Sequence, residues 1–393
     1  MLDFHVALEQ LNEAVQLPQK VRKVSLIESL GKYLSEDIFA VYNTPMFSNS
    51  AMDGYAVCDP DENLTEFKVV GRIAAGDLAE VVLNAGEAVR IFTGAPTPKG
   101  STSVVMQEHV DRDGDVIRLQ REPKNGMNIR YLGEEAKRGD LLLAKNREMT
   151  AATIALCASQ GYSEVSVFDG LSIAVVSTGS ELIPQSEPLA PGKIYDANRF
   201  MLQAWLKKNH HVHDAGIVRD NYEETKAQLL ALAETQDVVI LSGGASVGEE
   251  DHVGKAIEEV GQLNGWKIAI KPGKPFGWGK IGNAYVFMLP GNPVSAYVTF
   301  YLFVYPFLQK SIGATNATFM KGCAKFTREK LEPRREFLRG MYVENPAGGF
   351  DLTIAKGQGS AMLSGLAVAN CLIEVVPNTA VEEGMALNFY PIQ

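Results

Sequence analysis

The chain has 393 residues, 46% of them hydrophobic and 21% charged, which is enough for more than one core and, at common domain sizes, about two to four domains. A formal net charge of −10 counts against a nucleic-acid partner, and no segment offers a clean span of about 20 apolar residues, so no membrane partner is expected. Cys58, Cys157, Cys323 and Cys371 form no CxxC pair, and the N-terminus has no basic region before an apolar run, so a soluble cytoplasmic protein without disulfide framework, structural zinc or secretion signal is expected.

In chain order, Phe4, Ala7, Leu8, Leu11 and Val15 recur at helical spacing and predict a helix over Asp3–Leu17, stopped by Pro18. A short helix at Ser25–Leu30 and a strand at Leu34–Ala40 precede a break at Thr44-Pro45. From Met46 to Lys137 strand runs alternate with turns, at Phe67–Ile73, Ala88–Phe92, Ser103–His109 and Asp115–Leu119, with Asp113-Gly114 as a hairpin turn. That section predicts a small β domain. A helix at Thr150–Ser159 is expected to pack on the N-terminal helix, making one discontinuous domain around the β insertion. From Leu171, strands at Ile173–Val176, Asp214–Val218, Asp237–Leu241, Lys267–Ile270 and Tyr285–Leu289 alternate with helices at Asn198–Lys208, Tyr222–Glu234, His252–Val260 and Pro293–Gln309. The alternation predicts a mostly parallel sheet covered by helices. Short strands and turns after Ala324 predict a C-terminal β domain of about 70 residues.

The candidate chemistry sits where apolar strand runs give way to Gly- and Pro-rich loops. Ser242-Gly243-Gly244 follows Val238–Leu241. Glycines let backbone N–H groups approach a phosphate, and the same residues also suit a tight strand-to-helix turn. Glu249, Glu250 and Asp251 come next. A divalent cation would reconcile three acids with a phosphate, while Asp251 would also serve as a helix cap. Ser177-Thr178-Gly179 with Glu181 repeats the pattern one strand earlier. Lys271 and Lys274, in the Gly- and Pro-rich run KPGKPFGWGK, which reads as a loop, suit phosphate or another oxyanion. Pro290, Asn292 and Pro293 shape the neighbouring turn, with Ser295 at the helix start. Asp196 and Asp220 each precede a helix and fit caps. His210, His211 and His213 lack a partner at metal-ligand spacing.

Together the motifs identify a family. SNSAMDGYAV (Ser48–Val57), IFTGAP (Ile91–Pro96), VVMQE (Val104–Glu108), NIRYLGEE (Asn128–Glu135), VVSTGSEL (Val175–Leu182) and KIYDANR (Lys193–Arg199) occur in order. SGGASVGEEDH (Ser242–His252), AIKPGKPFGWGK (Ala269–Lys280), LPGNPVSA (Leu289–Ala296) and KGQGS (Lys356–Ser360) follow. The chain resembles the molybdopterin molybdenumtransferases of the MoeA type and the C-terminal domain of gephyrin. The resemblance implies an elongated, multidomain α/β plus β protein. Its four domains would be a discontinuous helical domain (1–45 and 138–170), an inserted β domain (46–137), an adenylyltransferase-like α/β domain (171–320) and a C-terminal β barrel (321–393). It implies a homodimer whose active cleft lies between the α/β domain of one subunit and the inserted β domain of the other. The reaction would take adenylylated molybdopterin and molybdate, with magnesium, and release AMP.

The same resemblance assigns residues. Asp251, Asp220 and Glu181 would be catalytic and would hold the metal. Asp53 and Glu135 would also be catalytic: Asp53, with Thr93, Gln107 and Glu108, would enter the cleft of the partner subunit, and Glu135 stands where the family commonly has the Asp of GED. Asp196 would lie near the nucleotide, and Ser360 would face molybdate. An adenylyltransferase and recipient molybdoenzymes would be partners. A pure adenylyltransferase is disfavoured by SNSAMDGYAV, and a gephyrin-like scaffold by the lack of a receptor-binding segment.

Overall fold

A computed structural model describes residues 1–219, 221–243, 252–315 and 319–392. It divides the chain into two compact units. One comprises Met1–Ser35, Asn146–Met149 and Val165–Gln393, and the other Glu36–Lys145 with Thr150–Glu164.

The larger unit is organised by a six-stranded sheet. Its order is His211–Val218, Ser172–Thr178, Val238–Ser242, Ala284–Leu289, Pro275–Ile281 and Gln262–Lys267. The first four strands are parallel, Pro275–Ile281 runs against them, and Gln262–Lys267 pairs antiparallel with Pro275–Ile281. The central strands read as nearly unbroken apolar runs because both faces are covered. Ile173, Val175, Ile240 and Phe287 enter one core, while Ala174, Val176, Val239 and Val286 enter the other. Ser177 pairs with Ser242, and Ser242 with Leu289, so three parallel strands end level and their loops emerge side by side.

The N-terminal helix, Phe4–Ala14, is capped by the Asp3 carboxylate, which accepts from the His5 N–H at 2.8 Å. Its buried face joins the first of these cores, with the Phe4 ring 5.6 Å from Phe303 and 5.2 Å from Phe337. The sequence expectation set this helix against the one at 150–159. Its apolar stripe is instead consumed by the α/β core, where aromatic partners offer more buried area.

Three further expectations change. The strand expected at Lys267–Ile270 is split between two sheets: Gln262–Lys267 forms an antiparallel edge of the α/β sheet, and Ile270–Lys271 pairs with Arg335 and Glu336 in the C-terminal sheet. Pro275–Ile281, read as loop because of its glycines, is a strand. A Cβ on Gly279 would lie 2.0 Å from the Gln262 carbonyl oxygen, so glycine here permits close strand contact. The helix expected over Pro293–Gln309 is two, Pro293–Phe303 and Tyr305–Ser311, because Pro306 has no N–H to continue the ladder.

Met320–Ala324, Arg335–Glu344, Phe350–Ile354, Cys371–Val375 and Ala386–Pro391 form the C-terminal sheet. Arg335–Glu344 pairs with both Phe350–Ile354 and Cys371–Val375, which closes it into a barrel around Leu338, Leu352, Ile373 and Phe389.

The smaller unit holds a second six-stranded sheet, ordered Ser103–Met106, Gly54–Val57, Glu87–Ile91, Glu66–Ile73, Val116–Leu119 and Val110–Asp113. The expected hairpin turn forms, with Asp113 paired to Val116 and Gly114 at φ 59°. Thr150 and Thr153 make a reciprocal capping box for the helix Ala151–Ser159. Among the described residues no helix is long and apolar enough to cross a membrane.

Phe4→Ala should destabilise the larger unit by about 3 kcal/mol, read from its urea-unfolding transition by circular dichroism. A loss below about 1 kcal/mol would contradict the packing of the N-terminal helix.

Candidate active site

The level strand ends open into a cleft of about 1510 Å³, walled by their loops on one side and by the barrel on the other. Thr178, Gly179, Glu181, Asp196, Ser242 and Gly243 all line it. So do Lys271, Lys274, Pro290, Asn292, Pro293, Ser295 and Ser360. Gly243 has φ 98°, and a Cβ there would lie 2.3 Å from the Thr178 carbonyl oxygen. Only glycine lets these two loops touch.

Asn198 ties the loops together. Its Nδ2 donates to Ser242 Oγ and to the Gly291 carbonyl, each at 2.7 Å. Its Oδ1 and the Thr178 Oγ1 are buried without a hydrogen-bond partner. A buried polar atom left unpaired costs about 1–3 kcal/mol, so two of them at one cleft wall point to a ligand that supplies the missing bonds.

Ser177 and Asp196 have a different position. Ser177 Oγ donates to Asp196 Oδ1 at 3.0 Å, and Arg199 donates to the same carboxylate from its backbone N–H at 3.2 Å and from Nε at 2.8 Å. Arg199 also pairs with Asp214. Burial would lower the Arg199 pKa, but Asp196 and Asp214 outweigh it and hold it above the ordinary value. This buried pair braces the cleft floor.

The opposite wall is cationic, and sequence reading missed most of it. Arg328, Lys330, Arg334 and Arg339 of the barrel join Lys271 and Lys274. The available signal was the charge-dense run REKLEPRREFLRG at 328–340, which has no Gly-rich signature to draw notice. Lys271 Nζ lies 2.8 Å from Glu332 Oε2 and 3.0 Å from Glu336 Oε1. Burial would lower the Lys271 pKa, but the two carboxylates raise it. Hydrogen bonding from Lys271, aided by Arg334, holds Glu332 at about 2. Arg339 is 1% exposed and donates to the Gly357 and Gly359 carbonyls at 2.9 and 3.1 Å, so it fixes the loop that carries Ser360. Burial lowers its pKa to about 10. Its Nε has no partner. The Ser360 carbonyl accepts from the Val294 N–H at 3.0 Å and latches that loop to the helix start.

Asp53, Thr93 and Glu135 belong to the smaller unit. The Thr93 N–H and Oγ1 both donate to Asp53 Oδ1 at 2.8 Å. These bonds, the backbone one first, lower the Asp53 pKa, and Arg90 adds to the shift. Arg90 was also missed. Its guanidinium lies 4.7 Å from the Phe92 ring and 5.3 Å from Tyr55, and donates to the Gly54 carbonyl at 2.9 Å and to Gln107 at 2.5 Å. Gln107 in turn donates to Glu108 at 3.2 Å. Glu135 is exposed, and its backbone N–H donates to the Thr44 carbonyl at 3.0 Å.

Asp220, Gly244, Glu249, Glu250 and Asp251 lie outside the described residues. The cap of the helix Tyr222–Thr235 is Asn221, whose Oδ1 accepts from the Glu224 N–H at 3.1 Å, rather than Asp220. His210 is structural: its Nδ1 accepts from the Leu171 N–H, and burial, then His211, lowers its pKa to about 4. Among the described residues no three metal-binding side chains cluster.

Comparison with known proteins agrees with this layout. Residues 2–161 match the MoeA N-terminal region (domain I and II), 174–310 the "Probable molybdopterin binding domain", and 323–392 the MoeA C-terminal region (domain IV). The chain is 40% identical over 380 residues to a molybdopterin molybdenumtransferase of Haemophilus influenzae, covering 95% of this chain and 94% of that one. It is 32% identical over 364 residues to one of Staphylococcus aureus, covering 89% and 86%. A crystal structure of the MoeA molybdopterin biosynthesis protein from Pyrococcus horikoshii superimposes with TM-score 0.86 at 30% identity and full coverage of both chains.

Thr93→Val should raise the Asp53 pKa toward the ordinary carboxylate value, measured by NMR titration of the carboxyl carbon. An unmoved pKa would show that the Oγ1 bond does not hold the carboxylate.

Proposed function

Since the chain belongs to the MoeA family of molybdopterin molybdenumtransferases, we propose that its cleft takes adenylylated molybdopterin and molybdate, inserts molybdenum into the dithiolene and releases AMP. The observation that carries this reading is the facing of two unlike walls. Thr178 and Asn198 present unpaired polar atoms on one side, and six Lys and Arg side chains stand on the other. A pterin with amide and amino groups suits the first wall, and a phosphoanhydride and an oxyanion suit the second.

The chemistry is phosphate departure under charge neutralisation. Ser242, Gly243 and Gly244 are assigned to the phosphate, and Lys271 and Lys274 to developing negative charge, while Arg339 holds the Ser360 loop. Pro290, Asn292, Pro293 and Ser295 shape the turn beside it, and Ser360 is assigned to molybdate. Asp196 acts by holding Arg199, and Ser177 by holding Asp196. Glu181, exposed on the cleft wall, offers a hard oxygen donor of the kind magnesium prefers. Asp220 and Asp251 would complete that ligand set. Bound magnesium would offset charge on the leaving phosphate.

The enzyme is assigned as a cytoplasmic homodimer, with Asp53, Thr93 and Glu135 of one subunit serving the cleft of the other. The ionised Asp53, with one carboxylate oxygen not used by Thr93, supports that role. Domain limits at 45, 137, 170 and 320 are proposed apart from the N-terminal helix, which packs in the α/β core. An adenylyltransferase would supply the substrate and molybdoenzymes would receive the product.

AMP release from adenylylated molybdopterin tests the reading. Release should require both magnesium and molybdate, stop with chelator, and fall at least about a hundredfold in Asp251→Ala. Release that ignores molybdate, or full turnover by that variant, would refute the assignment.

A further inference from the structure

The cationic wall contains a row of alternating charge. Arg334 Nε lies 3.0 Å from Glu332 Oε1, and Lys271 Nζ lies 2.8 Å from the other oxygen of the same carboxylate. Lys271 continues to Glu336 Oε1 at 3.0 Å, and Arg328 lies 2.5 Å from Glu336 Oε2. The row is therefore three cations and two carboxylates, with a net charge of +1 (3 − 2). An ammonium has three donors, and two of those of Lys271 are already spent inside the protein. Its side chain remains 31% exposed, whereas those of Glu332 and Glu336 are only 11% and 3% exposed.

The two carboxylates differ in what holds them. Glu336 lies in a barrel strand, paired in register with Lys271, and belongs to the frame. Glu332 precedes that strand and, unlike Glu336, does not itself line the cleft; it acts there through Lys271 and Arg334, which do.

We propose that Glu332 sets the oxyanion affinity of the cleft: it is the resident counter-ion of Lys271 and Arg334, and it holds the wall's grip on oxyanions, molybdate included, below what the bare cations would give. This rests on the reading that the cleft receives oxyanions. The Glu332 carboxyl, held at about 2 by Lys271 and Arg334, stays charged at any working pH, so the restraint is permanent. An oxyanion approaching Lys271 meets one remaining donor and the repulsion of a fixed carboxylate. That repulsion lowers the affinity for molybdate and for a nucleotide phosphate without excluding either.

Neutralising Glu332 raises the net charge of the row from +1 to +2 and leaves Lys271 held by Glu336. Binding of molybdate and, separately, of AMP is measured by isothermal titration calorimetry on the full chain. The proteins are wild type, Glu332→Gln, Glu332→Ser as a second neutral variant, and Glu332→Asp as the charge-retaining control. Melting curves identify the folded variants. A carboxylate about 6 Å from a dianion costs roughly tenfold in affinity even at the dielectric constant of water. A folded neutral variant is therefore expected to bind one or both ligands about tenfold more tightly, with Glu332→Asp within about twofold of wild type. A gain confined to molybdate places the metal oxyanion at this row, and a gain confined to AMP places the nucleotide phosphate there. Unchanged or weaker binding of both ligands by a folded neutral variant overturns the inference alone. No binding of either ligand by any of the proteins overturns the oxyanion reading of the cleft as well.

Discussion

Ser177, Ser242 and Leu289 stand level across three parallel strands, and the loops that form one wall of the cleft begin within two residues of them. That register is the constraint on which the site depends. Parallel pairing carries the three chains to one edge of the sheet and releases them in the same direction. Gly243 then allows its loop to touch Thr178, and Asn198 joins the Ser242 loop to the Gly291 turn. A strand slipped by one residue would turn Val175 and Ile240 from one core to the other and scatter the loops together.

The barrel adds what the sheet lacks. Strand ends and glycine loops supply N–H groups and hydroxyls but little charge, while the barrel brings Arg328, Lys330, Arg334 and Arg339 to the facing wall. Lys271 belongs to both: its segment leaves the α/β sheet and pairs with Arg335–Glu344. The ion pairs of Lys271 with Glu332 and Glu336 therefore tie the wall together as well as setting its charge. Burying Arg339 without a carboxylate partner costs solvation, which its lowered pKa records. The return is a Gly357–Ser360 loop held by two carbonyl hydrogen bonds.

Legibility followed the range of the interactions. The helix at His252–Val260 and the hairpin at Asp113-Gly114 formed as expected, because local periodicity and turn chemistry decide them. The Gly- and Pro-rich loops were visible for the same reason: backbone conformations that need glycine or proline leave a local mark. Arg90, Arg328 and Arg339 were not. An arginine in a strand or loop looks like a solvated charge until its neighbours are known, and Arg90 acts through Phe92, Tyr55 and Gln107, up to 35 positions away. Pro275–Ile281 misled in the other direction, since its glycines report close contact with Gln262 rather than a turn.

The sequence by itself determined the family, the strand–helix alternation from Ile173 to the helix at His252–Val260, and the loops that carry Ser242, Lys271 and Asn292, because those depend on residues close together in the chain. Tertiary structure alone decided that Asn198 ties the Ser242 loop to the Gly291 turn and that Arg199 reaches Asp214. It also decided that the N-terminal helix completes the α/β core and that Glu332 neutralises Lys271 from 61 residues away. Those outcomes rest on which side chains reach one another across the packed chain. Charge and burial at such points are properties of the assembled neighbourhood, and no stretch of sequence contains that neighbourhood.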